Sequence, residues 1–341
     1  MMEKYSRQIL FVPIGEAGQR RLLQSHVAVI GCGALGGVQI EALARAGVGR
    51  LRLVDRDFVE ESNLQRQVMF DEQDARDRLP KAIACQRRIA RINSDIQVEA
   101  LVTDVTNRNI EKIIGDVDLV LDGTDNFETR FLINDACVKW GKPWIYGAVV
   151  GSYGLTMTIR PGETPCFRCL LETLPPPGTS PTCDTVGVLL PAVMMVASIQ
   201  VSEALKILTG NIEALHGGLV QVDVWPLALH RVSLKNVQRS SDCLTCQRRV
   251  FEFLDARTKQ VALTLCGRDA VHISRVGEAS LNLSDVAERL RPLGEVIVKE
   301  FLLIFRVDGY ELNLFPDGHC IIKGTTDTAQ ARSLYARYIG I

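Results

Sequence analysis

The ten residues Val27-Ala-Val-Ile-Gly-Cys-Gly-Ala-Leu-Gly36 decide the fold of this chain. A short apolar run ends at Gly31, and a G-x-G-x-x-G turn then opens a helical pattern over residues 34–46. A second apolar run, residues 51–54, ends in Asp55. Because strand, turn, helix and strand follow one another within about thirty residues, the segment predicts a βαβ unit of a parallel sheet. The turn also predicts a nucleotide site, since glycines let a phosphate approach the backbone at a helix N-terminus.

The alternation of strand and helix patterns continues as far as residue 234. It predicts an α/β fold with a Rossmann-like, doubly wound mixed sheet. Beyond residue 250, short alternating strands and two helices predict a small C-terminal α/β accessory domain, so we expect two domains, 1–250 and 251–341. The further elements predicted for the first domain are strands at 96–101, 118–121, 144–146, 218–223 and 228–234 and helices at 80–92, 127–140 and 189–208.

The composition of the 341-residue chain excludes several classes of protein. Lysine and arginine number 39 and aspartate and glutamate 40, so a net charge of −1 gives no electrostatic case for nucleic-acid binding. The uncharged stretch 185–202 is short for a membrane span and contains Pro191 and Gln200, so we expect a buried helix and no membrane. Residues 1–7 lack the apolar segment of a signal peptide, and ten cysteines then predict a reducing, cytoplasmic location.

Charged residues follow the strands at the places where a nucleotide needs them. Asp55 ends its strand, where a carboxylate accepts hydrogen bonds from ribose hydroxyls. Arg66 and Lys81 follow soon after, and because a triphosphate benefits from cations more than a dinucleotide does, they favour ATP over NAD. Asp125 comes after another buried strand and predicts a Mg²⁺ ligand at the carboxyl edge of the sheet. Its alternative role is the N-cap of helix 127–140, and both roles can coexist.

Four cysteines form two C-x-x-C pairs that lie far apart in the chain. Two such pairs are typical of a tetrahedral structural zinc site, so we expect Zn²⁺ to be bound by Cys166, Cys169, Cys243 and Cys246. The alternatives are four unrelated thiols or a redox-active pair. The redox-active pair is disfavoured because neither C-x-x-C opens a βα unit.

Cys183 stands apart, after the proline-rich stretch 175–181 and before the long apolar helix. A thiol at a helix N-terminus is activated and accessible, but most free cysteines are small buried residues, and the sequence leaves both readings open. The cysteines that lie within apolar or helical patterns are interpreted as packing residues: Cys32, Cys85, Cys137, Cys266 and Cys320.

Together these motifs resemble the E1-like adenylyltransferases of sulfur-carrier pathways, typified by the molybdopterin-synthase and thiamine-biosynthesis enzymes. The resemblance runs from about residue 3 to residue 248, and an ordered set of this kind is more specific than a lone glycine turn. The motifs that carry it are Tyr5-Ser6-Arg7-Gln8-Ile9, the glycine turn, Asn63-Leu64-Gln65-Arg66-Gln67, Thr124-Asp125-Asn126 with Arg130, both cysteine pairs and Thr182-Cys183.

The resemblance implies that the chain activates the C-terminal glycine of a small ubiquitin-fold sulfur-carrier protein by forming an acyl-adenylate. It implies that Arg66 and Lys81 neutralise the triphosphate, that Asp125 holds Mg²⁺ and that Cys183 can join covalently to the carrier. Arg7 would act in the partner subunit's site of a homodimer. The implied nucleotide-binding residues are Gly31, Gly33, Gly36, Asp55, Asp57, Asn63, Arg66, Gln67, Lys81, Asp125 and Asn126.

One departure from some relatives concerns the sulfur source. Residues 251–341 carry no cysteine in a rhodanese-type active loop, so we expect a separate sulfur donor, a cysteine desulfurase or a sulfurtransferase. The alternative function is an NAD(P)-dependent oxidoreductase with a structural zinc, although no His, Tyr or Lys for hydride transfer is evident beside the glycine turn. A non-catalytic, zinc-stabilised docking protein is a third hypothesis. The sequence does not distinguish molybdopterin, thiamine or another sulfur product.

Overall fold

The computed structural model describes residues 2–176, 183–234, 242–255, 262–264, 270–273 and 281–340, without the side chains of residues 183, 184 and 262–264. The chain divides into two compact units, Met1–Ala256 and Arg257–Ile341. Residues 251–255, which the sequence pattern places in the second domain, pack in the first. The reason is that Phe251 and Leu254 are buried in the same core as the cysteine pairs.

An eight-stranded sheet forms the centre of the first unit. Its strands are β1 (His26–Ile30), β2 (Arg50–Asp55), β3 (Gln97–Val102), β4 (Leu119–Asp122), β5 (Trp144–Val150), β6 (Tyr153–Ile159), β7 (Gly218–Asp223) and β8 (Ala228–Ser233). Their order across the sheet is β3-β2-β1-β4-β5-β6-β7-β8. The first five strands are parallel and the last three pair antiparallel, which confirms the doubly wound mixed sheet.

Helices surround this sheet, and their ends follow local capping rules. Two helices that connect parallel strands, at residues 34–46 and 127–140, are each followed by a glycine with positive φ: 84° at Gly47 and 68° at Gly141. The helices are α1 (Ser6–Ile9), α2 (Gly15–Gln24), α3 (Ala34–Ala46), α4 (Glu72–Asp77), α5 (Lys81–Ile92), α6 (Ile110–Ile114), α7 (Phe127–Trp140), α8 (Phe167–Leu170), α9 (Cys183–Val186), α10 (Leu190–Thr209) and α11 (Glu252–Asp255).

The apolar helix α10 belongs to the core. It is long and apolar enough to cross a membrane by length and composition, but 56% of its apolar window is buried inside the protein. Gln200 and Glu203 are fully buried on it, and Gln200 donates to the carbonyl oxygens of Asp122 and Ile145 at 3.1 and 3.2 Å. The helix therefore covers the sheet near the end of β4 and the start of β5, as predicted for a buried helix.

The second unit is a six-stranded antiparallel sheet whose core includes residues of two helices. The apolar stretch 296–305 predicts one continuous strand, but it forms a hairpin, in which the backbone N–H of Lys299 donates to the carbonyl oxygen of Leu302. The strands are β9 (Ala262–Thr264), β10 (Ala270–Ile273), β11 (Glu295–Val298), β12 (Leu303–Val307), β13 (Tyr310–Leu314) and β14 (Cys320–Lys323). Their order across the sheet is β11-β12-β13-β14-β10-β9. The helices are α12 (Leu283–Leu290) and α13 (Thr328–Tyr338).

Candidate active site

The glycine turn between β1 and α3 lies at the carboxyl edge of the sheet, where β1 separates β2 from β4. Gly31 has a φ of 89°, in the left-handed region that favours glycine. A Cβ on Gly36 would lie 1.8 Å from the carbonyl oxygen of Gly31, so strand and helix can meet here only through glycine. A Cβ on Gly33 would meet nothing closer than Nε2 of Gln67, at 3.7 Å. The space beside Gly33 is therefore open to a ligand at the N-terminus of α3.

Asp55, at the end of β2, is bound by backbone amides on both carboxylate oxygens. The N–H of Cys32 donates to Oδ2 at 2.7 Å, and the N–H of Asp57 donates to Oδ1 at 2.7 Å. Burial raises the pKa of the Asp55 carboxyl, against the opposing effect of the nearby Lys81 charge. Since each carboxylate oxygen has a second lone pair, Asp55 can brace the glycine turn and still accept from a ribose hydroxyl.

Lys81 is a buried cation at this edge and begins α5. Its Nζ lies 3.2 Å from Oδ2 of Asp57, with 5% of the lysine side chain and 20% of the aspartate side chain exposed. Its backbone N–H donates to the carbonyl oxygen of Asp57 at 2.9 Å. Lys81 also interacts electrostatically with Cys32 and Asp55. The structure therefore places Lys81 and Asp57 beside the glycine turn.

Residues 63–67 bring polar side chains to the same turn. Asn63 and Gln67 are buried, yet Nδ2 of Asn63 and Oε1 of Gln67 have no hydrogen-bond partner among the described residues. A buried donor or acceptor without a partner costs about 1–3 kcal/mol, so these two atoms fit a site completed by a polar ligand. The guanidinium of the half-buried Arg66 donates to the carbonyl oxygen of Ser62, at 2.8 Å, and meets no carboxylate in the described part of the chain.

A buried ion pair holds the loop that follows β4. Nε of Arg130 lies 3.1 Å from Oδ2 of Asp122, and their side chains are 6% and 0% exposed. Oδ1 of Asp122 accepts from the backbone N–H and the hydroxyl of Thr124 at 2.8 and 2.7 Å, and Arg130 donates to the Thr124 carbonyl oxygen at 2.6 Å. Asp125, the next residue, is exposed and has no cation within 4 Å among the described residues.

The N-cap of α7 is Asn126, whose Oδ1 accepts from the N–H of Thr129 at 2.9 Å. The alternative interpretation of Asp125 as this cap is therefore wrong. The Asp125 carboxylate therefore remains available at the sheet edge. Asn126 caps the helix in addition to its predicted nucleotide contact.

Arg7 is not brought to the glycine turn of its own chain. The neighbouring Gln8 donates to the carbonyl oxygen of Ala46, the last residue of α3, at 2.9 Å. Because α3 spans 13 residues, this end of the helix lies roughly 18 Å from the turn. Arg7 is exposed in α1 and makes no hydrogen bond or ion pair within the described ranges.

Cys183 begins α9, but its side chain lies outside the described residues. The backbone soon afterwards is anchored to the sheet, because Val188 pairs with Gly151 in a parallel bridge. The N–H of Gly151 donates to the carbonyl oxygen of Gly187 at 2.8 Å, and the N–H of Leu189 donates to that of Gly151 at 2.9 Å. The segment that carries Cys183 is therefore fixed at the carboxyl end of β5.

The two C-x-x-C pairs meet in one cluster, with all four sulfur atoms within 4.8 Å of one another. The Sγ–Sγ distances are 3.8 Å for Cys166–Cys169, 3.7 Å for Cys166–Cys243 and 3.5 Å for Cys169–Cys246. Tetrahedral zinc with Zn–S bonds of about 2.3 Å requires sulfur separations of about 3.8 Å, so the donor set fits Zn²⁺. Hydrogen bonding to Cys166 lowers the pKa of the Cys243 thiol to about 6.

Side chains of α7 hold the segments on both sides of this cluster. Nδ2 of Asn134 lies 3.7 Å from the sulfur of Cys166, and Oδ1 of the same side chain accepts from the N–H of Phe167 at 2.9 Å. Asp135 accepts from the hydroxyl of the buried Thr245 at 2.9 Å. Successive turns of one helix thus support both features: Arg130 holds the loop after β4, and Asn134 and Asp135 hold the segments of the four-cysteine cluster.

Two site residues escaped the sequence analysis because their partners are remote in the chain. Gln39 on α3 and Gln200 on α10 are fully buried and hydrogen-bonded to each other at 2.6 Å, and both donate to the carbonyl oxygen of Asp122. They fix the end of β4, which positions Asp125. A polar residue within an apolar helical face is the one available signal, and it does not identify a partner.

The remaining cysteines serve packing where the structure describes them. They are buried and unpaired by disulfides, and burial raises the pKa of the Cys137 and Cys320 thiols well above the usual range. The predicted packing residue Cys266 lies outside the described residues; the described ones are Cys32, Cys85, Cys137 and Cys320.

Two relatives that share one name align with most or all of the chain. The Bacillus subtilis sulfur carrier protein ThiS adenylyltransferase is 45% identical over 341 residues and is matched over 100% of both chains. The Escherichia coli sulfur carrier protein ThiS adenylyltransferase is 41% identical over 244 residues, covering 71% of this chain and 94% of its own. None of these names supports an oxidoreductase.

Solved structures and a family model agree with this result. The crystal structure of Escherichia coli MccB with ATP has a TM-score of 0.62 at 22% identity, covering 71% of this chain and 74% of that one, which shows a shared fold. The model of the ThiF family matches residues 5–245. The glycine turn, the charged carboxyl edge and both cysteine pairs lie within or at the end of this match, and the chain belongs to the ThiF family.

Proposed function

We propose that this chain uses ATP to adenylylate the C-terminal glycine of a small ubiquitin-fold sulfur-carrier protein, with release of pyrophosphate. The product prepares the carrier for thiocarboxylate formation in molybdopterin or thiamine biosynthesis in the cytoplasm. The names of the relatives support the reaction class and the carrier. The observation that carries the proposal is the open space beside Gly33, at the edge where Gln67 and the buried Lys81 lie next to the glycine turn.

The nucleotide site follows from these contacts. Phosphate oxygens would lie beside Gly33 at the N-terminus of α3, and ribose hydroxyls would reach Asp55. Arg66 and Lys81 would neutralise the triphosphate, and Nδ2 of Asn63, which lacks a protein partner, would donate to it. Oε1 of Gln67 can only accept, so it would pair with a ligand hydroxyl or a water. Asp125 would hold Mg²⁺, which neutralises phosphate charge when bound.

The chemistry requires no general base. The attacking group is the carrier's glycine carboxylate, which is already ionised at pH 7. The residues of the chain therefore contribute by positioning the two reactants and by neutralising charge at the α-phosphate as pyrophosphate leaves.

A second copy of the chain would complete the site. Arg7 lies far from the glycine turn of its own chain, and the adjacent Leu10, Phe11 and Val12 are 70%, 60% and 89% exposed. Three consecutive exposed apolar residues beside an exposed arginine fit a surface that another protein covers. We assign that partner as an identical chain, so that Arg7 enters the neighbouring site of a homodimer.

The four cysteines would hold a structural Zn²⁺ with no open coordination position. The sulfur would come from a separate donor, a cysteine desulfurase or sulfurtransferase, and Cys183 would receive it or join to the carrier.

ATP–pyrophosphate exchange with purified carrier proteins tests the proposal directly. Exchange that depends on both the carrier and its C-terminal glycine is the expected result. A carrier that ends in alanine is the matched control and should not support exchange. Absence of exchange with every ubiquitin-fold carrier of the source organism, from a protein that is folded and binds ATP, would refute the proposal and favour a docking role.

A further inference from the structure

A second ion pair lies at the carboxyl edge, next to the residues assigned to the nucleotide. Arg56 directly follows Asp55, and its Nη1 donates to Oδ1 of Asp104 at 2.9 Å. The two side chains are only 18% and 16% exposed. Burial acts against the charged form of Arg56, but the carboxylates of Asp104, Asp57 and Asp125 outweigh it and raise the pKa of the guanidinium. The arginine is therefore a permanent cation surrounded by acidic groups from three strand ends.

The strand order places this pair where a nucleobase would lie. The phosphate position is at the end of β1 and the ribose position at the end of β2, and β3 is the next strand in that direction. A nucleotide that crosses β1 and β2 thus directs its base toward the residues after β3. All of those residues, 103–107, are half-buried, and Val105 packs against the hydrophobic core that contains Val120 of β4. Val105 offers an apolar surface for a ring, and Asp104 and Arg56 are the charged groups beside it.

The chemistry of the two purines distinguishes them at this edge. Carbon 6 carries an amino group in adenine, which donates hydrogen bonds, and a carbonyl oxygen in guanine, which only accepts. A carboxylate accepts from the amino group and repels the carbonyl oxygen, because it has no proton to donate. An ionised acceptor held at the 6-position is therefore a selective element for adenine, whereas beside N1–H and the 2-amino group of guanine it would favour guanine.

We propose that the Arg56–Asp104 pair selects ATP over GTP, with Asp104 as the specificity-determining residue at the 6-amino edge of the base. Arg56 is a positioning residue, which holds the Asp104 carboxylate in one orientation. This inference rests on the proposed function only for the presence of a nucleotide, and it concerns the choice of base rather than the transfer step.

The test measures binding of Mg-ATP and Mg-GTP to the full chain by calorimetry, so that it does not depend on the carrier. Asp104→Asn keeps the size of the side chain but gives it an amide that can donate to a carbonyl oxygen. We expect the ratio of the GTP and ATP dissociation constants to fall about ten- to hundredfold, as for loss of one charged hydrogen bond and its repulsive counterpart. Asp116→Asn is the matched control, because Asp116 also pairs with an arginine, Arg52, but lies before β4 at the opposite edge of the sheet. Its ratio should equal that of the wild type.

An exchanged pair, Arg56→Asp with Asp104→Arg, separates base recognition from a structural role. The exchanged pair restores an ion pair, so its melting temperature should exceed that of Asp104→Arg alone. Its ratio of GTP and ATP dissociation constants should nevertheless fall further than that of Asp104→Asn. A folded Asp104→Asn protein with the wild-type ratio would overturn the inference, and so would a wild type that binds both nucleotides equally. If ATP is selected as expected but no carrier supports exchange, the proposed function fails and the base assignment stands.

Discussion

Replacing Gly33 and Gly36 with alanine, one at a time, separates the two tasks of the glycine turn. A Cβ on Gly36 would lie 1.8 Å from the carbonyl oxygen of Gly31, whereas a Cβ on Gly33 would have its nearest neighbour at 3.7 Å. The first contact is far inside van der Waals distance and the second is an ordinary contact. We therefore expect Gly36→Ala to damage the fold and Gly33→Ala to damage the site.

The magnitudes follow from these distances. Gly36→Ala forces the backbone of β1 and α3 apart by about 1 Å or more, and overpacking of this kind costs about 1–3 kcal/mol. Because the opposing atom is backbone rather than a flexible side chain, we expect about 3 kcal/mol, which lowers the melting temperature of a unit of this size by roughly 6–12 °C. Gly33→Ala should stay within about 1 kcal/mol of the wild type.

The assays are thermal unfolding and ATP binding, measured on both variants. For Gly33→Ala, the added methyl group occupies the space next to the α3 N-terminus, so ATP affinity should fall about ten- to hundredfold through lost charged hydrogen bonds. Wild-type ATP affinity in Gly33→Ala would refute the assignment of a phosphate to this position. An unchanged melting temperature in Gly36→Ala would refute the packing argument.

Four further changes test the remaining assignments. Asp125→Ala should abolish pyrophosphate exchange in a folded protein, a loss of at least ~2–4 kcal/mol of transition-state stabilisation, and near-normal exchange would remove Asp125 from the site. Cys243→Ser should lower zinc content and melting temperature together, since structural zinc binding is coupled to folding; carefully purified wild type without zinc would contradict this. Mixing Arg7→Ala with Asp125→Ala protein should restore part of the activity through one intact composite site, and no recovery despite proven subunit exchange would argue against a shared site. Cys183→Ala should leave exchange nearly intact and lower thiocarboxylate formation if sulfur passes through this chain; lost exchange would show a role in folding or nucleotide binding instead.

The parts of the fold that the sequence predicted are those whose signals are local. The apolar run before Gly31, the turn and the helix over 34–46 lie within one short segment, so their periodicity is sufficient. Strand β6 was not predicted, because Thr156 and Thr158 interrupt its apolar pattern and are buried only through partners elsewhere, the carbonyl oxygen of Tyr146 and the carboxylate of Glu203.

The same distinction applies to the candidate site. Sequence spacing indicated the four-cysteine cluster, since two C-x-x-C pairs have few other uses, and the structure brings their sulfur atoms together. It could not decide between Asp125 and Asn126 as the helix cap, because both residue types cap helices and only the backbone geometry selects one. Nor could it pair Gln39 with Gln200 across 161 positions, because neither residue carries a local sign of its partner.

The parallel bridge between Gly151 and Val188 limits the distance between Cys183 and the end of β5. Cys183 lies five positions before Val188, and five Cα–Cα steps span at most about 17 Å even when fully extended. Val188 is attached where β5 ends, on the edge that also carries Asp125. As long as the bridge holds, the backbone of Cys183 stays within that distance of the end of β5, so a sulfur step on its thiol would take place close to the position proposed for activation of the carrier's carboxyl end.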